Sequence, residues 1–282
     1  MTDDSHDMPT SAATAAALLA FVERSPAAVA ARDRTAWLTL FADDAQVADP
    51  VGARPHVGST QIGRFYDTFV GPNQIEFEVG RDLVCGTTVI RDVTLHTRMW
   101  GGAELRVPAF LRYELSVVAG EPRSIRRLYA YWELPAMLVQ LRETGPRGAL
   151  AAAVLAPNLL GRQGVGGAVG FVRGLDRVGG WAKADAAGFA GALRRGDPAA
   201  AAGMLAPDAA LWTGETPGSI EDVVAVALGA GWSKMIVAGR TVSMALAGPR
   251  GPAVLLLTFG SRRTGITGCR LYSATGRPRA AD

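Results

Sequence analysis

The sequence predicts an α+β protein made of two tandem domains, each an antiparallel sheet packed with helices. Three observations carry this. First, RDRTAWLTLFADDAQVAD (32–49) resembles GDPAAAAGMLAPDAALWT (196–213) without a gap, so Asp33 aligns with Asp197, Asp44 with Asp208 and Val47 with Leu211. Each copy reads as a helix, a turn with an Asp-Ala pair, and a strand entry. Second, the runs MIVAGRTVSMAL, GPAVLLLTFGS and GITGCRLYSA follow the second copy in the order that VIRDVTLHTRM, ELRVPAFLRYEL and SIRRLYAYWEL follow the first. Gly and Pro punctuate both sets, as turns between antiparallel strands require. Third, 282 residues at 49% hydrophobic content supply apolar side chains for two cores.

In chain order, the opening MTDDSHDMPTS is acidic and polar, which predicts no signal peptide and a disordered start over 1–13. The first domain covers 14–134. Within it, Ala45, Val47 and Asp49 share one strand face by period two, so Asp49 faces the core if Val47 does. Two readings follow. A carboxylate on a core face is costly to ionise, and a pKa raised toward neutrality suits a group that takes and returns a proton. Asp before Pro also commonly caps the following turn.

On DVTLHTRMW, Val93, Leu95 and Met99 take one face, while Asp92, Thr94, His96, Arg98 and Trp100 take the other, toward solvent or the second domain. The same parity puts Val107, Ala109, Leu111 and Tyr113, and then Leu128, Ala130 and Trp132, on the inner side. The resulting pocket is mostly apolar, with Asp49, Trp132, Tyr66 and Tyr113 as its polar features. Such a pocket suits a hydrophobic small molecule.

Residues 135–185 are rich in Gly, Ala and Leu and too apolar for a flexible linker. Two short helices are expected, about 136–143 and 149–161, with Pro157 at a kink. They form either an ordered connector or a lid, and 149–175 could touch a membrane surface peripherally. The second domain covers 186–276 and a tail 277–282. There Thr213 replaces Asp49, and Arg270, Leu271 and Tyr272 replace Ala130, Tyr131 and Trp132, so a non-catalytic partner is expected.

A net charge of +3, with no Lys/Arg cluster among aromatics, argues against nucleic acid. Cys85 and Cys269 form no metal spacing and read as buried thiols of a cytoplasmic protein. The Gly-rich GRQGVGGAVG follows no strand pattern, and no phosphate-binding or nucleophile-elbow motif occurs. No metal or cofactor is expected.

The run FADDAQVADPVG, followed after a short loop by QIGRFYDTF, and the later Ala130-Tyr131-Trp132 carry a family resemblance. They resemble the ketosteroid isomerase branch of the SnoaL-like, nuclear-transport-factor-2-like superfamily over roughly 14–134. The resemblance implies cone-shaped domains, with Asp49 as general base and Trp132, Tyr66, Tyr113, Phe41, Ala109 and Ser25 around the substrate. The family's two oxyanion donors, a tyrosine and a protonated aspartic acid, fall at Ser25 and Ala109, so both are replaced. The implied function is isomerisation, cyclisation or epoxide opening on a steroid- or polyketide-like molecule. The alternative is a non-catalytic binding or scaffold protein of the same fold. The two domains are expected to pair as an intramolecular pseudo-dimer, and homodimerisation is a further expectation.

Overall fold

The computed structural model describes residues 11–153 and 177–274. Residues 1–10 of the expected disordered start, most of the 149–161 helix, most of the membrane-touching 149–175 segment and the 277–282 tail lie outside the described residues, whereas residues 12–13, also expected to be disordered, already belong to the first helix.

Ser11 opens α1 (Ala12–Ala30) by accepting a bond from Thr14 N at 3.1 Å. Leu18, Phe21, Val22, Ser25 and Val29 recur at helical spacing and are buried against the first sheet. By length and composition α1 could cross a membrane, but its apolar stripe is part of this core. Asp33 caps α2 (Arg34–Leu38) through Ala36 N, and its aligned Asp197 caps α7 (Pro198–Ala202) through Ala200 N, both at 2.9 Å. The repeat therefore preserves a cap as well as a pattern.

The first sheet contains β1 (Phe41–Ala48), β2 (His56–Val57), β3 (Gln74–Cys85), β4 (Thr88–Arg98), β5 (Glu104–Val118) and β6 (Glu121–Tyr131), in the order β2-β1-β6-β5-β4-β3. Between β2 and β3 run α3 (Gly58–Phe65) and a π-helical turn, Tyr66–Val70. After β6 come α4 (Leu134–Glu143) and a helical stretch at 146–153 (α5).

The second half repeats the plan. After α6 (Gly180–Arg195) and α7 come β7 (Leu205–Thr213), β8 (Thr216–Pro217), α8 (Ile220–Ala227), β9 (Gly231–Ala238), β10 (Thr241–Gly248), β11 (Gly251–Phe259) and β12 (Ile266–Ser273), in the order β8-β7-β12-β11-β10-β9.

The sheets are mixed rather than purely antiparallel, because β1 runs parallel to β6 and β7 parallel to β12. In each half the long path through helix and hairpins lets the last strand return beside the first without a tight turn. The run MIVAGRTVSMAL is also two strands. Gly239 at φ +53° turns the chain between β9 and β10. Register corrects the second-domain alignment as well. Val47 pairs with Leu128 and its counterpart Leu211 with Cys269, so Tyr131 corresponds to Tyr272 and Trp132 to Ser273. Matching the motif to 270–272 was one residue off, which on a strand exchanges the faces.

The outer faces of the two sheets pack on each other. Leu83, Ile90, Phe110 and Tyr131 meet Ile236, Val254, Leu256 and Tyr272 in one buried cluster. Lys234 reaches across to Asp92 Oδ1 (2.5 Å) and to the carbonyls of Val93 (2.9 Å) and Ala109 (3.0 Å). Glu133 accepts from Val237 N at 3.0 Å and pairs with Lys183 at 2.6 Å. At Gly52 an added Cβ would lie 2.5 Å from the Cα of Gly239, so two glycines let the backbones of the two halves touch.

Candidate functional site

Asp49 sits one residue beyond β1. Ala45 and Val47 on the same face are fully buried, and the ladder holds the segment on both sides of the acid. Ala48 pairs with Tyr129, and Val51 N donates to Ala130 O at 2.9 Å. Trp132, just past β6, projects to the same side, and its Nε1 donates to Asp49 Oδ1 at 2.6 Å. Among the described residues no bond joins this carboxylate to the following turn, which disfavours the capping reading.

Asp49 and Trp132 open on one cavity of about 120 Å³. Phe65, Phe69 and Val70 form one wall, and Ile75, Leu95, Met99, Leu105 and Val107 of the sheet form another. Asp49 is the one ionisable group among the lining residues. It is half-buried, its surface facing the cavity while protein surrounds the rest. Burial raises its pKa to about 6, against the opposing pull of the Trp132 N–H.

Helix α4 borders the cavity. Met137 lines the cavity, and Leu141 packs with Ala103, Leu105, Val107 and Ala151. Pairing of β5 with β6 begins at Phe110, so the start of β5 has a free edge there. The Gln140 amide stands in for the missing strand. Its Oε1 accepts from Arg106 N and its Nε2 donates to Arg106 O, both at 2.9 Å.

The other sequence-selected residues lie off this lining. Ser25 is buried and accepts from Trp37 Nε1 at 3.1 Å, and it pairs with the Tyr113 hydroxyl. Burial pushes Tyr113 up to about 12, with Ser25 and the nearby Arg91 opposing. Phe41 and Tyr66 pack on Trp37 at 4.5 and 5.3 Å between ring centroids. Ala109 is fully buried, and its carbonyl is taken by Lys234. Phe41, Tyr66, Ala109 and Tyr113 thus belong to the core of the first domain and not to the cavity lining.

Two polar lining residues escaped the sequence reading. Thr97 shares the parity of Leu95 and Met99, so the strand pattern could have found it. Asn73 follows the π-helical turn and donates from Nδ2 to Phe69 O at 2.7 Å, leaving its carbonyl oxygen available. No strand or helix period marks that position. On the outer face His96 meets Glu78 (2.6 Å) and Asp92 meets Lys234, as the alternation requires.

In the second half Thr213 and Ser273 occupy the places of Asp49 and Trp132, each buried with an unpartnered hydroxyl. Neither can serve as a base near neutral pH.

The chain is similar to several proteins of known structure. A steroid-bound Mycobacterium tuberculosis protein, crystallised with estradiol-17β-hemisuccinate, is 26% identical over 42% of this chain and 95% of its own, at a TM-score of 0.38. The Δ5-3-ketosteroid isomerase of a Mycobacterium species is 29% identical over 43% and 95%, at 0.39. An M. tuberculosis epoxide hydrolase of the LEH-like type is 18% identical over 50% and 92%, also at 0.39. Residues 22–120 match the SnoaL-like domain family. The matched region lies within the first body, and a second body with the same strand order follows it.

Proposed function

We propose that the first domain binds a hydrophobic small molecule of steroid or polyketide type and uses Asp49 as a general base on it. The observation that carries this reading is one ionisable group, with a pKa near 6, opening on an otherwise apolar cavity. Proton removal from a carbon acid, followed by return to another carbon, gives isomerisation. The same base acting on a nucleophile gives cyclisation or epoxide opening. The steroid chemistry in the names of the similar mycobacterial proteins makes a ketosteroid the first substrate to try.

The volume sets a condition. A cavity of about 120 Å³ is below the roughly 300 Å³ lower bound of drug-sized pockets. A steroid therefore requires Met137 and α4 to yield, which gives the helix the part of a lid.

A second reading, ligand binding without turnover, draws on the oxyanion side. Ser25 is committed to Trp37 and Tyr113, and Ala109 offers only a methyl group. The Thr97 hydroxyl and the second N–H of the Asn73 amide are the remaining lining donors, and losing an oxyanion donor costs a factor of roughly a hundred to a thousand. The unpaired thiols Cys85 and Cys269 support a cytoplasmic setting.

The test is the rise in conjugated-enone absorbance with a Δ5-3-ketosteroid. Slow turnover that vanishes in Asp49→Asn supports the base. Tight steroid binding with no turnover in either protein favours the binding reading.

A further inference from the structure

A second and larger cavity, of about 480 Å³, lies on the opposite side of the first sheet, where the two halves meet. It is polar and shares no lining residue with the Asp49 pocket. Four guanidinium groups line it, Arg112, Arg126, Arg127 and Arg270, against two carboxylates, Glu114 and Glu215.

The carboxylates are already engaged. Glu114 holds Arg112 and Arg127, each at 3.1 Å. Glu215 crosses from the second half to accept from Thr87 N and the hydroxyls of Thr87 and Thr88, at 2.8–2.9 Å. Arg126 and Arg270 have no carboxylate partner among the described residues.

Two of the guanidinium groups are fixed in orientation. Arg112 stacks over Tyr129 at 4.0 Å, and Arg270 stacks over Trp212 at 4.5 Å. Stacking on a ring leaves the N–H edges in the guanidinium plane; those of Arg112 go to Glu114 and Tyr272, whereas Arg270 spends only one terminal nitrogen, on Tyr272. Both donate to one oxygen, the Tyr272 hydroxyl, at 3.2 and 3.3 Å. Two like charges thus converge on a single neutral atom, at the join of two domains. Arg112 is 9% exposed and its Nε is buried without a hydrogen-bond partner. A buried charged donor left unpaired is costly, so this junction holds more cationic donors than its own acceptors satisfy.

We propose that this interdomain cleft is a second binding site, for a small molecule bearing two or more oxyanion charges, supplied by phosphate or carboxylate groups. Because residues of both halves line it, occupancy would tie the two bodies together. This gives the second domain a use that needs no catalytic acid.

The experiment is calorimetric titration of the full chain at low ionic strength with inorganic pyrophosphate and, separately, citrate. At least one should saturate a single site, with binding that weakens as salt is added. Saturation by pyrophosphate alone marks phosphate as the source, and by citrate alone, carboxylate. Arg126→Gln plus Arg270→Gln should weaken binding by about tenfold or more, the usual size for lost charge-assisted bonds. Arg64→Gln, which removes one positive charge, as Arg126→Gln alone does, from an exposed position outside the cleft, should leave it unchanged. If the double variant melts early, Arg126→Gln alone decides, since that side chain is exposed and should weaken binding without harming the fold. No saturation by either probe at about 10 mM, a concentration at which even millimolar sites fill, overturns the proposal. So does an equal loss in Arg64→Gln.

Discussion

Replacing Asp49 with Asn should stabilise the protein at alkaline pH and leave it nearly unchanged at acid pH. Burial raises the Asp49 pKa from 3.8 to about 6 in the folded chain. For an acid whose folded pKa is raised, the folded state binds the proton more tightly than the unfolded state. Stability is therefore highest below about pH 4 and falls as pH rises from there through 6. At about 1.4 kcal/mol per pKa unit, the full penalty near pH 8 is on the order of 3 kcal/mol, and near pH 4 it is below about 1. Asn is close in shape, keeps an oxygen that can accept from Trp132 Nε1, and carries no charge to desolvate. The assay is urea denaturation of both proteins at pH 4 and pH 8, with equal m-values as the check that the folded states match. The variant should gain about 2–3 kcal/mol at pH 8. An Asn variant equal to or less stable than the wild type at pH 8 would refute the claim that this carboxylate is held in an unfavourable site.

Three further outcomes follow. Trp132→Phe removes the N–H that favours the carboxylate, so the Asp49 pKa should move above 6, read by carboxyl carbon NMR; an unchanged or lower value contradicts the 2.6 Å bond. Met137→Ala should widen the mouth beneath α4 and raise the affinity for a bulky apolar fluorophore, at a stability cost of no more than about 2 kcal/mol for a half-buried methionine; unaltered binding would mean that α4 is no lid. Lys234→Met leaves Asp92 and two carbonyls facing the interface without their cation and should cost about 1–3 kcal/mol, discounted for the partial exposure of the pair. It should also separate the melting of the two halves in calorimetry, whereas a single unchanged transition would show that the interface does not depend on it.

Much of the fold was legible in the sequence because it repeats. Asp33 and Asp197 cap equivalent helices, and the two sheets share one strand order. Parity alone brought Asp49 and Trp132 to one side, since a strand offers only two faces. Parity does not give depth, however. Phe41, Tyr66 and Tyr113 belong to the same core as the cavity wall, but they pack around Trp37 and Ser25 and leave the opening to Phe69, Thr97 and Met137. Met137 could not be placed from its own helix, because what sets it over the mouth is the Gln140 clamp on the free edge of β5. The one-residue misalignment at Tyr272 had a similar cause. Tyr131 and Tyr272 are alike because both are buried in the domain interface, a contact no local pattern reports.

The central claim, that Asp49 takes a proton from a carbon acid bound in the apolar cavity, is tested most directly by deuterium wash-in. A Δ4-3-ketosteroid is incubated with the protein in D₂O, and exchange at the carbons next to the carbonyl is followed by NMR, which needs no net reaction. Exchange should rise with pH through about 6, as the carboxylate forms, and should fall by a factor of roughly a hundred or more in Asp49→Asn. Exchange of equal rate in the two proteins, or none above the buffer rate in the wild type with the steroid shown to be bound, would contradict it.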